Sequence, residues 1–148
     1  MKKFILAFLI VIAGCISREI VSESGEFSVL FCPRENCMEF VKQKISESSD
    51  VKCAVYNLKS EDLVNILENK DHSLVVDKLN SFSLKGLKYA TNRNFKNLMH
   101  NKFCILDSKA VITGSFNFIE NNQNNDNLVY MKSEALASNY LDEFDELS

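Results

Sequence analysis

His100 and Lys102 lie two residues apart, Asp107 follows five later, and Gly114, Ser115 and Asn117 close the stretch HNKFCILDSKAVITGSFN. Side chains alternate along a strand, so a strand over this stretch puts the imidazole of His100 and the ammonium of Lys102 on one face. Ser115 and Asn117 share a face for the same reason, and a hairpin turning at Ser108-Lys109 brings that pair alongside His100 and Lys102. One imidazole, one ammonium, one hydroxyl and one amide then surround a single point. Neutral imidazole is a nucleophile near pH 7. Lys102, Asn117 and Ser115 are donors for the charge that develops on equatorial phosphoryl oxygens. Asp126 is the candidate acceptor for the second imidazole nitrogen. Asp107 has the opposite parity to His100 and sits where the strand turns, which suits a turn or supporting role. Gly114 lets the backbone approach whatever sits there.

These residues need a scaffold, and the rest of the chain supplies one. Strand-like runs rich in β-branched and aromatic residues occur at 27–32, 51–58 and 73–77. A helix is predicted after the first, with Asn36 as its cap and Cys37, Phe40, Val41 and Ile45 at helical spacing. Ser60 opens a second helix, with Leu63, Ile66 and Leu67 as its apolar positions. Residues 87–91 form a short strand, 120–127 an Asn-rich loop and 128–132 a further strand. Ser133 caps a last helix with Leu136, Tyr140, Leu141 and Phe144 on one face. Strand-helix alternation predicts an α/β domain built on a mixed, largely parallel sheet flanked by helices. His72, at the turn before the third strand, reads as a surface residue.

The pattern His-x-Lys-x4-Asp-x6-Gly-Ser-x-Asn, filled by His100, Lys102, Asp107, Gly114, Ser115 and Asn117, resembles the signature of the phospholipase D superfamily. The likeness extends in strand-helix order from Phe27 to the C-terminus and is closest to the small, exported, single-motif endonucleases of that superfamily. In those proteins a loop and an acidic residue, usually Glu, precede an apolar strand; here that residue is Asp126. The resemblance implies a phospholipase D-like fold and a phosphodiesterase that needs no metal or other cofactor. Its mechanism takes two such histidines and the chain has one motif, so a homodimer with the site on the two-fold axis is implied. His100 of one subunit would attack phosphorus and His100 of the other would protonate the leaving oxygen, the pair sharing one proton.

The first fourteen residues, with Lys2 and Lys3 before an apolar run from Phe4 to Ala13, read as a secretory signal. The run is short of the roughly 20 residues a membrane span needs. Its ending, IAGC, resembles a lipoprotein signal box in which Cys15 is lipidated. An uncleaved anchor and a simple signal cut near Cys15 are the alternatives. Residues 15–26 then form a polar tether, 27–148 the domain, and the protein is exported, held at a membrane or released beyond it. Cys32 and Cys37 bracket a tight turn and suit a disulfide outside the cytosol, two free thiols, or a metal site. Cys53 and Cys104 sit in apolar runs, where cysteine is usually a buried hydrophobe.

The net charge of −3 does not advertise a polyanion partner. Locally, however, Lys78, Lys85, Lys88, Arg93, Lys96, Lys102 and Lys109 face only Asp107, which suits a phosphate-bearing substrate. Nucleic acid, DNA or RNA, is the leading substrate class. Phospholipid headgroups are the second reading, and a non-catalytic nucleic-acid-binding module the third.

Overall fold

The predicted strands and helices form where local sequence favours them. The structure, a computed structural model, describes residues 25–77, 79, 84, 86–91 and 97–148. The segment 1–14 read as a signal, Cys15, most of the expected tether, and the bases Lys78, Lys85, Arg93 and Lys96 lie outside the described residues. In chain order the elements are β1 (Phe27–Cys32), α1 (Cys37–Glu47), β2 (Asp50–Val55), β3 (Leu58–Lys59), α2 (Glu61–Glu68), β4 (Asp71–Val76), β5 (Tyr89–Thr91), β6 (Lys102–Leu106), β7 (Ala110–Gly114), β8 (Phe118–Ile119), β9 (Asp126–Lys132) and α3 (Glu134–Leu147). Among the described residues, α1, α2 and α3 each start on a side-chain cap. Asn36 accepts from Glu39 N–H, Ser60 from Leu63 N–H and Ser133 from Leu136 N–H. Such a cap typically stabilises by about 1 kcal/mol.

Among the described residues the main sheet has seven strands in the order β1-β9-β7-β6-β2-β4-β5. It is mixed, but mostly antiparallel rather than largely parallel. Only the pairs β2·β4 and β4·β5 run parallel; β1·β9, β9·β7, β7·β6 and β6·β2 run antiparallel. The direction expected from the first crossover is right and the adjacency is not. β1 and β2 point the same way, yet three strands lie between them, because β1 pairs with β9 at the far edge. The predicted hairpin is present, with Leu106 opposite Ala110 across the turn. The strand expected over 51–58 is broken: β2 ends at Val55, the chain bends at Tyr56-Asn57, and β3 pairs parallel with β8 in a separate two-stranded sheet.

Two layers of side chains cover the sheet. On one face Val41 and Ile45 of α1 and Leu63 and Leu67 of α2 pack with Cys53, Cys104, Leu106 and Ile112. On the other, Ala137 and Phe144 of α3 pack with Ala54, Phe103, Ile105 and Val111. The alternation along β6 is therefore real, with neighbours buried on opposite faces. The ring of Tyr140 meets that of Phe103 edge-on at 4.9 Å. Cutting a buried Leu or Phe back to Ala in such layers costs about 2–5 kcal/mol.

Of the three readings left open for Cys32 and Cys37, the structure has the disulfide. Cys53 and Cys104 are not separate hydrophobes but a second disulfide. They are register partners in β2 and β6, with Cα atoms 4.1 Å apart. Directly opposed residues of an antiparallel pair come that close, within reach of one S–S bond. His72 is also not a surface residue. It is buried, its Nδ1 lies 3.1 Å from the carbonyl of Lys70, and its Nε2 accepts from Lys88 N–H at 3.0 Å. The amide at Nε2 fixes the tautomer, so Nδ1 carries the proton and donates to Lys70. No helix among the described residues is long and apolar enough to cross a membrane.

Candidate active site

His100 stands two residues before the first residue of β6, and its side chain is exposed. The ring lies against Tyr56, with centroids 4.7 Å apart and planes at 55°. Tyr56 is held there by its N–H, which donates to the carbonyl of Asn101 at 2.8 Å. That bond carries the β2·β6 ladder one step beyond its last pair, Val55 with Lys102. Among the described residues, the imidazole nitrogens of His100 make no hydrogen bond.

Lys102 is 8% exposed, and its ammonium donates to the carbonyl of His100 at 2.8 Å. The same nitrogen lies 5.2 Å from the centre of the Tyr56 ring, within cation–π range. An ammonium has three N–H donors. Two of those on Lys102 have no acceptor among the described residues. Burial pushes its pKa below the ordinary lysine value, and the nearby carboxylate of Asp126 opposes that in part. A buried cation with unused donors is poorly solvated by its own protein and favours an anion beside it.

The hairpin brings the second pair of motif residues to the same end of the sheet. Ser115 follows β7, and its hydroxyl donates to Asp126 Oδ1 at 2.8 Å while accepting from Asn127 N–H at 3.0 Å. Asn122 donates to the other oxygen of Asp126 at 3.2 Å. The carboxylate of Asp126 is thus held by Ser115 and Asn122, makes no hydrogen bond to His100 among the described residues, and acts on Lys102 through its charge. Gly114 has φ 147°, and a side chain there would collide with the carbonyl of Asn127 on β9; the close approach this glycine permits is of backbone to backbone. Asn117 precedes β8, and its Oδ1 is buried without a partner.

Asp107 lies at the opposite end of β6, away from His100. It adopts φ 51° in the hairpin turn, and its Oδ1 accepts from Ser49 N–H at 2.8 Å and Asp50 N–H at 3.0 Å. Its work is to tie the turn to the start of β2. Tyr56, which the motif does not contain, is the residue that sequence reasoning missed. The available signal was an Asn at position 57 interrupting a β-branched run, since Asn is depleted in strands and marks a bend.

Comparison with known proteins finds relatives of this chain in one family and one fold. The family model described as "Cardiolipin synthase, PLD-like domain" matches residues 64–148. A protein named phospholipase D from Rickettsia typhi is 26% identical over 130 residues, covering 77% of this chain. The match takes in 64% of that protein, so the chain spans under two thirds of its relative's length. The crystal structure of Nuc from Salmonella typhimurium, a phospholipase D family member, superposes with a TM-score of 0.74 at 22% identity, covering 83% of this chain and 93% of Nuc. NucT from Helicobacter pylori gives 0.69 at 16% identity, covering 83% and 95%. These two likenesses show a shared fold.

Proposed function

Because the chain belongs to the phospholipase D superfamily, we propose that it hydrolyses phosphodiester bonds of nucleic acid through a phosphohistidine. The observation that carries this reading is the pairing of an exposed imidazole with a buried ammonium that keeps two of its three N–H donors unused among the described residues. A diester phosphate placed between them meets a nucleophile on one side and fixed positive charge at its non-bridging oxygens. A ring nitrogen of His100 bonds to phosphorus as the phosphorus–oxygen ester bond breaks. A second imidazole gives its proton to the leaving oxygen, then takes one from water as that water displaces the histidine. The described chain offers no second imidazole at the site, since His72 is buried and engaged elsewhere. A second copy of the chain supplies it, which makes the working unit a homodimer with both His100 rings at one phosphorus. Lys102 and Asn117 hold the charge on the phosphoryl oxygens, and the histidine chemistry itself asks for no metal.

Nucleic acid is preferred over lipid because the motif and the fold resemble those of the superfamily's small endonucleases, with Nuc and NucT among the similar structures. The name of the rickettsial relative favours the headgroup reading, and the same experiment decides between them. The two disulfides suit an oxidising compartment, in keeping with a location outside the cytoplasm. The purified protein and His100→Ala are incubated in EDTA with plasmid DNA, RNA and phospholipid vesicles. Cleavage of DNA or RNA that the substitution abolishes supports the proposal. Headgroup release alone replaces nucleic acid with lipid, and normal turnover by a strict monomer removes the two-fold site.

A further inference from the structure

We propose that Asn57 is a further catalytic residue, a second amide donor to the phosphoryl oxygens beside Asn117. The proposal rests on the phosphodiesterase reading of the site. Two independent pairings converge on this residue. Val55 is the last partner of Lys102, and the Tyr56 N–H to Asn101 bond extends that antiparallel ladder. One more step of the same register would set Asn57 opposite His100, and it is there that the chain bends away into β3. In the small sheet Leu58 pairs parallel with Phe118, and Phe118 N–H donates to the carbonyl of Asn57 at 3.1 Å. One step back along that register sets Asn57 beside Asn117. The bend at Tyr56-Asn57 thus delivers one aromatic ring to His100 and one amide to the position facing Asn117.

The polar atoms point to a ligand. Oδ1 of Asn57 and Oδ1 of Asn117 are the two buried side-chain atoms among the described residues that lack a hydrogen-bond partner. Neither amide nitrogen makes a hydrogen bond there, and neither is buried. Two neighbouring amides therefore share one arrangement, with the acceptor turned inward and unsatisfied and the donor turned outward and free. Nothing in the packing rewards that orientation, since a buried oxygen without a donor is a cost. An anion reached by both outward N–H groups and by the unused donors of Lys102 would reward it. Non-bridging phosphoryl oxygens are that anion, and donors fixed in advance stabilise the charge that grows on them during transfer.

The test uses the full protein with Asn57→Ala, Asn57→Ser, Asn57→Asp and Asn117→Ala. Turnover of bis(p-nitrophenyl) phosphate is measured, along with inorganic phosphate binding by calorimetry and Tm. Asn57→Ala should lower kcat/KM by about 10²-fold, as loss of one fixed donor does, and weaken phosphate binding. Its Tm should not fall, because the oxygen removed has no partner. Asn57→Ser should recover part of the loss, and Asn57→Asp, which sets a negative charge against the phosphate, should exceed it. Wild-type kcat/KM and phosphate affinity in Asn57→Ala, or a fall in Tm that accounts for its lost activity, overturns the proposal. If the wild type turns over no diester, the phosphodiesterase reading fails and the phosphate titrations alone decide the role of Asn57. Binding weakened by Asn57→Ala then upholds an anion-binding role. Unchanged affinity, or no phosphate binding by the wild type, ends it.

Discussion

The ammonium of Lys102 is hydrogen-bonded to the carbonyl of His100, two residues back along the chain and 2.8 Å away. The buried cation therefore clamps the backbone that presents the exposed imidazole. Both are fixed relative to Tyr56, which touches the His100 ring on its own account and lies under the Lys102 charge.

His100→Ala should abolish turnover with little effect on folding. Loss of a nucleophile typically lowers kcat by at least about 10⁴-fold. The ring is exposed, and the contact it gives up with Tyr56 is an aromatic pair of about 0.5–1.5 kcal/mol. Assays on a soluble diester and a thermal melt measure the two effects. Turnover within tenfold of wild type would remove His100 from the reaction.

The alkaline limb of the rate profile should fall below the ordinary lysine range, because burial lowers the pKa of Lys102 more than Asp126 restores it. Asp126→Asn removes the restoring charge and should move that limb to still lower pH. A limb unmoved in Asp126→Asn would separate it from Lys102. Stability carries the same signature. The unfolded chain holds this proton to higher pH than the folded chain, so between the two pKa values unfolding takes up a proton. Stability contributed by Lys102 therefore rises with pH across that interval. Lys102→Met should lose the rise and be no less stable than wild type at neutral pH, which urea midpoints at neutral and alkaline pH would show.

Asp107→Ala should weaken the fold and spare the chemistry. Two backbone N–H groups, of Ser49 and Asp50, lose their acceptor. The expected cost is about 1–2 kcal/mol, as for a lost cap. Specific activity of the folded fraction should be unchanged. A large fall in kcat at unchanged Tm would contradict the turn role.

The two disulfides should differ in weight. Cys53–Cys104 closes a separation of 51 residues, and Cys32–Cys37 one of 5. Chain entropy puts the first at about 4 kcal/mol and the second at about 2 kcal/mol. Urea midpoints of Cys53→Ala/Cys104→Ala and Cys32→Ala/Cys37→Ala should follow that order. The reverse order would show that the unfolded chain is not what the longer bridge restrains.

What the sequence reveals here is mostly local. Caps at Asn36, Ser60 and Ser133 depend on residues a few positions away, and each forms. The β6–β7 hairpin depends on a three-residue turn and also forms. Strand adjacency depends on distant partners: Phe27 lies opposite Met131, and no pattern near either residue encodes that. The Cys53–Cys104 bridge was hidden for the same reason, since it needs the register of β2 against β6. The spacing of His100 and Lys102 could be read directly because both belong to one run of chain. Tyr56 joins them from another strand through a bend, so it became visible only once β2 and β6 were aligned.

The buried state of His72 has a practical use. The chain contains two histidines, and the ring of His72 has both nitrogens occupied by backbone groups. A histidine-selective acylating reagent such as diethyl pyrocarbonate therefore meets a single reactive imidazole per folded chain. Labelling of that one imidazole can be titrated against loss of activity, and protection by a bound nucleotide, read by mass spectrometry at His100, would report on what occupies the site.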